Sequence, residues 1–201
     1  MCNSEILARV RLEVKKRLAN YGAGHGFDHI ERVVASARKI QTEVGGDPFV
    51  IELSALLHDV GDAKFHDGLE RSGEISRQLL GNFSVASEII EHVIHVVENL
   101  SFRKRHSAES LSLEGKVVQD ADRLDALGAI GIIRTIEFGE TMGQPFYVPG
   151  DPQAKSGLRH FYEKLFRLRG LMNTEAGKRM AREREIFMRE FIRQFESEVN
   201  L

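Results

Sequence analysis

Apolar residues return at three- and four-residue intervals through most of the chain, the period of a helix that buries one face. Ile6, Leu7, Val10, Val14 and Leu18, with Arg and Lys between them, describe an amphipathic helix that stops near Tyr21 to Gly26, where three glycines fall within five residues. A second helix carries Ile30, Val33, Val34, Ala37 and Ile40 on its buried side, and Gly45-Gly46 closes it. Residues 49–57 are different. They form an apolar run opened by Asp47 as N-cap and Pro48 at the first helical position, which predicts a helix buried around most of its circumference.

Further helices are expected at residues 69–80, 85–100 and 111–136. The Ile- and Val-rich 85–100 segment taken alone suggests a strand, but its length and even distribution of apolar residues favour a buried helix. Residues 139–157 hold three of the four prolines and show no periodicity, the mark of a lid or binding loop. Two amphipathic helices follow, 158–171 with Phe161, Leu165 and Leu168, and 173–199 with Met180, Phe187, Phe191 and Phe195. No strand signal competes, so the fold class is all-α.

At 201 residues and 42% apolar content the chain can bury one good core, and no internal spacer parts it, so residues 1–201 are expected to form a single domain. A formal net charge of -2 supplies no global field for a nucleic acid polymer or an anionic membrane. The single cysteine, Cys2, excludes an internal disulfide and fits a reducing compartment. With no apolar stretch near the roughly 20 residues of a membrane span and no apolar secretion signal, the expectation is a soluble, cytoplasmic protein.

Candidate chemistry is concentrated where polar residues interrupt apolar helices. His58 and Asp59 stand side by side at the end of the 49–57 helix, and burying an imidazole beside a carboxylate is costly unless a cation offsets it. His29 lies at the start of the second helix; His25 stands four residues earlier, but Gly26 leaves His29 the better anchored. Asp120, Asp122 and Asp125 fall within six residues of a mostly apolar helix. His29, His58, Asp59 and Asp122 each fall near the buried side of their helices. Any one alone reads as a hydrogen-bonded core residue; the adjacent pair and the separate carboxylate shift the reading to metal. Two imidazoles and two carboxylates suit an octahedral divalent ion such as manganese, iron, nickel or magnesium, and suit thiolate-preferring zinc poorly. His92 and His95, three apart, share a face of the 85–100 helix.

The order His29, then His58-Asp59, then Asp122 resembles the metal-binding signature of the HD superfamily of metal-dependent phosphohydrolases. The matching context is Gly24-His25-Gly26-Phe27-Asp28-His29-Ile30-Glu31-Arg32-Val33, Leu56 to Lys64, and Val117-Val118-Gln119-Asp120-Ala121-Asp122-Arg123-Leu124-Asp125. His160-Phe161-Tyr162-Glu163-Lys164-Leu165 and Leu171-Met172-Asn173-Thr174 are similar to the small stand-alone bacterial subgroup that includes nucleoside triphosphate pyrophosphohydrolases. The resemblance implies a single-domain helical HD fold with the metal site between core helices, a metal-binding core at about 22–138 and C-terminal helices at about 157–199. It implies one divalent ion per chain on His29, His58, Asp59 and Asp122, the last chosen because Ala121-Asp122 matches the family's Ala-Asp pair. Asp125, one turn on, is placed to orient a ligand, and Asp120 is expected to point elsewhere as a solvated or capping group.

By the same resemblance Asp62 is the expected acceptor of the water's proton, the alternative being a loop aspartate capping backbone beside Gly61. Lys64 is the first choice of phosphate-neutralising cation. Arg32 either reaches the site or pairs with a carboxylate on a neighbouring helix. Lys104, in the run Arg103-Lys104-Arg105, is a candidate phosphate contact, with Lys155 and His160 weaker ones. Some HD phosphodiesterases use extra histidines for a second metal, but a histidine such as His95 could instead hydrogen-bond substrate. Phe146 and Tyr147 in the lid either stack on a base or pack on their own domain. The expected activity is nucleotide phosphohydrolysis, most specifically of nucleoside triphosphates to monophosphate and pyrophosphate. Alternatives are a nucleoside monophosphate phosphatase, a cyclic-nucleotide phosphodiesterase, or a non-catalytic nucleotide-binding regulator. The partner is a small phosphorylated molecule, and a homo-oligomer stays open.

Overall fold

The computed structural model describes residues 1–19, 26–62, 66, 68–100 and 109–199. Among them are nine α-helices and a 3-10 helix, and no strand: α1 (Asn3–Arg17), α2 (Phe27–Val44), α3 (Pro48–Leu57), α4 (Ser72–Gly81), α5 (Ser87–Asn99), α6 (Leu113–Asp125), α7 (Gly128–Thr141), α8 (Gly157–Glu163), the 3-10 helix Leu165–Leu171, and α9 (Glu175–Val199). No helix among the described residues is long and apolar enough to cross a membrane. The chain falls into two units, Met1–Ala121 and Asp122–Leu201, so the boundary passes through α6.

In the first unit α3 is the hub, packing against α1, α2 and α5. Every residue from Phe49 to Leu57 is buried, as an apolar run without a polar face requires. Gly45 and Gly46 both take positive φ, 84° and 93°, and turn the chain from α2 straight into α3. Asp47 then caps α3 as expected, its Oδ1 accepting the amides of Phe49 and Val50 at 2.8 and 3.4 Å, with Pro48 in the first turn.

Three expected boundaries are revised. The fourth helix begins at Ser72 rather than Leu69: Leu69 is exposed, and the Arg71 amide donates to the Gly61 carbonyl at 2.8 Å, closing a loop before the helix starts. Gly61 allows this close approach, since a Cβ there would lie 2.2 Å from the Ser72 nitrogen. The long helix expected over 111–136 is two helices, because Gly128 at φ 75° turns the chain out of the helical region. The second of them, α7, continues to Thr141, into the span read as irregular. Residues 158–171 likewise divide, α8 giving way at Lys164 (φ -132°) to the 3-10 helix.

The second unit is held by aromatic packing. Phe146 meets Phe161, Phe191 and Phe195 edge-on at centroid distances of 6.0, 6.3 and 5.2 Å, and Tyr147 meets Phe195 at 5.6 Å. Of the two readings of these loop aromatics, packing on their own unit is the one observed.

Candidate metal centre

α2 and α3 form an antiparallel pair, and the start of one meets the end of the other. His29 sits in the first turn of α2, and His58 and Asp59 directly follow α3. All three are buried, at 1%, 8% and 8% exposure. The Nε2 atoms of His29 and His58 lie 3.2 Å apart; the Asp59 carboxylate oxygens are 3.9 Å from His29 Nε2 and 3.8 Å from His58 Nε2. At the last two separations the carboxylate faces both imidazoles across the same small space.

One backbone contact settles which nitrogen of His58 is available. Its Nδ1 lies 2.8 Å from the Ala55 carbonyl oxygen, which can only accept, so Nδ1 carries a proton and Nε2 is the nitrogen turned to the cluster. Two nitrogens bound at right angles to one ion, each about 2.1 Å from it, would stand about 3 Å apart. The observed spacing fits that, and with Asp59 these are the one cluster of potential ligands found among the described residues, one atom from each lying within 4.8 Å of the others. Two imidazole nitrogens and a carboxylate oxygen form a donor set suited to a divalent transition ion.

The other expected site residues are distributed around this cluster or away from it. Asp122 lies on α6, half-buried, as the first residue of the second unit. Asp62 is half-buried just past α3, its amide 3.4 Å from the Asp59 carbonyl. Arg32 bonds Asp28 at 2.7 Å, one turn back on its own helix, and this bond lowers the Asp28 pKa. Asp120, expected to be solvated or capping, is completely buried: three residues after Val117 and four before Leu124, it lies on the same buried face as they do. Asp125 is buried with its carboxylate on the Arg134 guanidinium. Lys64, Lys104 and His25 lie outside the described residues.

His92 and His95 are half-buried and turned to the segment before α6. His92 Nε2 lies 2.8 Å from Ser112 Oγ and 3.5 Å from Glu114 Oε2; His95 Nε2–H donates to the Ser110 carbonyl at 3.1 Å. At His160, burial and then nearby Lys164 push the imidazole below its ordinary 6.5, which keeps it neutral and weak as a phosphate contact.

The sequence reading missed Glu52. It is buried on α3, accepts Arg38 from α2 at 2.6 to 2.9 Å, and accepts Arg11 from α1 at 3.0 Å. The available signal was its being the one charged residue between Pro48 and Leu57.

A model of the HD domain family matches residues 26–127. The uncharacterized protein YpgQ of Bacillus subtilis (strain 168) is 41% identical over 194 residues, 95% of this chain and 92% of its own. Among solved structures, an HD-superfamily hydrolase from Bacillus thuringiensis is 40% identical with a TM-score of 0.84, covering 99% of each chain. The structure of B. subtilis YpgQ in complex with ADP is 39% identical with a TM-score of 0.83, covering 98% of this chain and 97% of that one.

Proposed function

The chain belongs to the HD domain family and is an HD-superfamily hydrolase, and from that premise we propose that it is a metal-dependent phosphohydrolase of nucleotides, most specifically a nucleoside triphosphate pyrophosphohydrolase. The observation that carries the proposal is the convergence of His29 Nε2, His58 Nε2 and the Asp59 carboxylate in a buried corner between α2 and α3. The complex of the similar YpgQ with ADP supports a nucleotide as the ligand.

In this reading the whole chain acts as one catalytic domain, with Asp122 the fourth ligand. His29, His58, Asp59 and Asp122 would hold a divalent ion, which when bound would supply acidification of water and polarisation of a phosphoryl oxygen. The Ala55 carbonyl keeps His58 in the tautomer that binds. Asp62 accepts the proton of the attacking water, Lys64 and Lys104 neutralise phosphate charge, and Arg32 and His95 help hold the substrate. Water adds to the α-phosphorus, the bond to the bridging α,β-oxygen breaks, and nucleoside monophosphate and pyrophosphate leave.

The test is product analysis. The full chain, loaded in turn with manganese, iron, nickel or magnesium and given a panel of nucleotides, is expected to release pyrophosphate from triphosphates. Orthophosphate from monophosphates, or opening of cyclic nucleotides, would move the activity to another phosphohydrolase. No turnover by protein shown to bind the metal would leave a nucleotide-binding regulator.

A further inference from the structure

The geometry points to Glu52 as a positioning residue for the metal site. Held by Arg38 and Arg11, it sets the register of α3 against α2, and so the spacing of His29 and His58. The inference rests on the metal-site reading above.

Four charges make a continuous network across three helices. Arg38 of α2 grips Glu52 of α3 through Nε and Nη2, at 2.9 and 2.6 Å, while Arg11 of α1 reaches Glu52 with Nη2 at 3.0 Å and Glu31 of α2 with Nη1. Glu31 stands two residues past His29, so Arg11 ties the site end of α2 to α3 as well. Glu52 lies six residues, about 9 Å, before His58, and Arg38 nine residues, about 13 Å, after His29. The network thus clamps the pair of helices both at a distance from the histidines and beside them.

The need for such a clamp follows from the remaining α2–α3 seam. Apart from the network the two helices bury aliphatic side chains, Val33, Val34, Ala37 and Ile40 on α2 and Leu53, Leu56 and Leu57 on α3, and the attraction that such groups supply is non-directional. A slide of one residue moves a helix by about 1.5 Å, whereas a metal site tolerates ligand displacements of only about 0.2 Å. A forked guanidinium on a carboxylate fixes both distance and direction. An ionised carboxylate in this buried place adds little net stability over an apolar side chain, which leaves register as its use.

The test is Mn2+ affinity of the metal-free full chain, read from the electron paramagnetic resonance signal of free Mn2+, beside urea unfolding of the same samples. Arg38→Gln is the decisive variant because Arg38 is largely exposed and its loss leaves Glu52 paired with Arg11. It removes a positive charge, so a purely electrostatic effect would tighten Mn2+ binding. Loss of register predicts the opposite, a Kd raised fivefold or more, with Arg38→Lys failing to restore it because the fork is lost. Glu52→Gln is expected to raise Kd tenfold or more. Leu80→Ala, on α4, destabilises the fold by opening a cavity without touching the network and is expected to leave Kd unchanged. Unchanged or tighter binding in Arg38→Gln, rescue by Arg38→Lys, or an equal loss in Leu80→Ala would overturn the inference. If the unsubstituted chain binds no Mn2+, or His29→Ala binds it equally well, the metal-site reading itself fails.

Discussion

Two pairs of histidines in the first unit separate what helical spacing can place from what packing decides. His92 and His95 stand three apart on one helix and share a face, yet each turns to its own partner in the segment leading into α6. His29 and His58 are 29 residues apart on different helices, and their Nε2 atoms come within 3.2 Å. The half-buried pair is satisfied by a serine hydroxyl and a carbonyl. The buried pair has one nitrogen committed to backbone and two aimed at a common point beside a carboxylate. Proximity on a helix therefore gave two separate anchors, and antiparallel packing gave the candidate site.

The largest effect that can break this contrast is expected from the buried pair. His58→Ala removes a proposed ligand and its bond to the Ala55 carbonyl together, and is expected to weaken Mn2+ binding by at least about a hundredfold and kcat/KM by about a thousandfold or more. Urea unfolding of the metal-free variant checks that the fold survives. Asp122→Asn tests the fourth ligand in the same assay. A His58→Ala protein that kept a tenth of its activity would show that the convergence has no catalytic role.

A smaller effect is expected from the other pair. His92→Ala removes the contact to Ser112, worth about 1 kcal/mol, and should leave one Mn2+ per chain with affinity changed less than about threefold. Metal content counted on the purified proteins is the check. Two ions in the unsubstituted chain and one in the variant would make both pairs ligands and dissolve the contrast.

Much of this was legible because burial is periodic. The apolar positions of α2 and α3 recur as a helix requires, Asp47-Pro48 marks a start, and an adjacent histidine and aspartate at the end of a mostly apolar helix stand out as chemistry. The break at Gly128 was not legible: Leu124, Leu127 and Ile130 keep helical spacing across it, while the extended backbone of Leu127 and the positive φ of Gly128 part α6 from α7. Asp120 was misread for another reason. Its spacing from Val117 and Leu124 places it on their buried face, but its charge was taken as a sign of exposure. The choice of His58 tautomer depends on where a carbonyl points, and the network at Glu52 on two arginines from other helices; neither leaves a trace in spacing.

The smallest expected effect concerns the group that shares a contact region with His92. Burial raises the Glu114 pKa, but the Asp47 amide, Glu114's own amide, Ser112 and the nearby His92 together lower it below its ordinary 4.5. A carboxylate with a depressed native pKa binds fewer protons folded than unfolded, so its contribution to stability is fully present above about 4.5 and is lost as pH falls through the native value. Glu114→Gln should therefore cost at most about 1 kcal/mol at pH 7, for the weakened bond to the Asp47 amide. It should also flatten the acid limb of stability against pH, and urea midpoints at pH 7, 5 and 3.5 measure both. An acid limb unchanged by Glu114→Gln, with Mn2+ binding impaired, would mean that this carboxylate serves the ion rather than the helix start, and the half-buried histidine beside it would have to be reconsidered as a ligand.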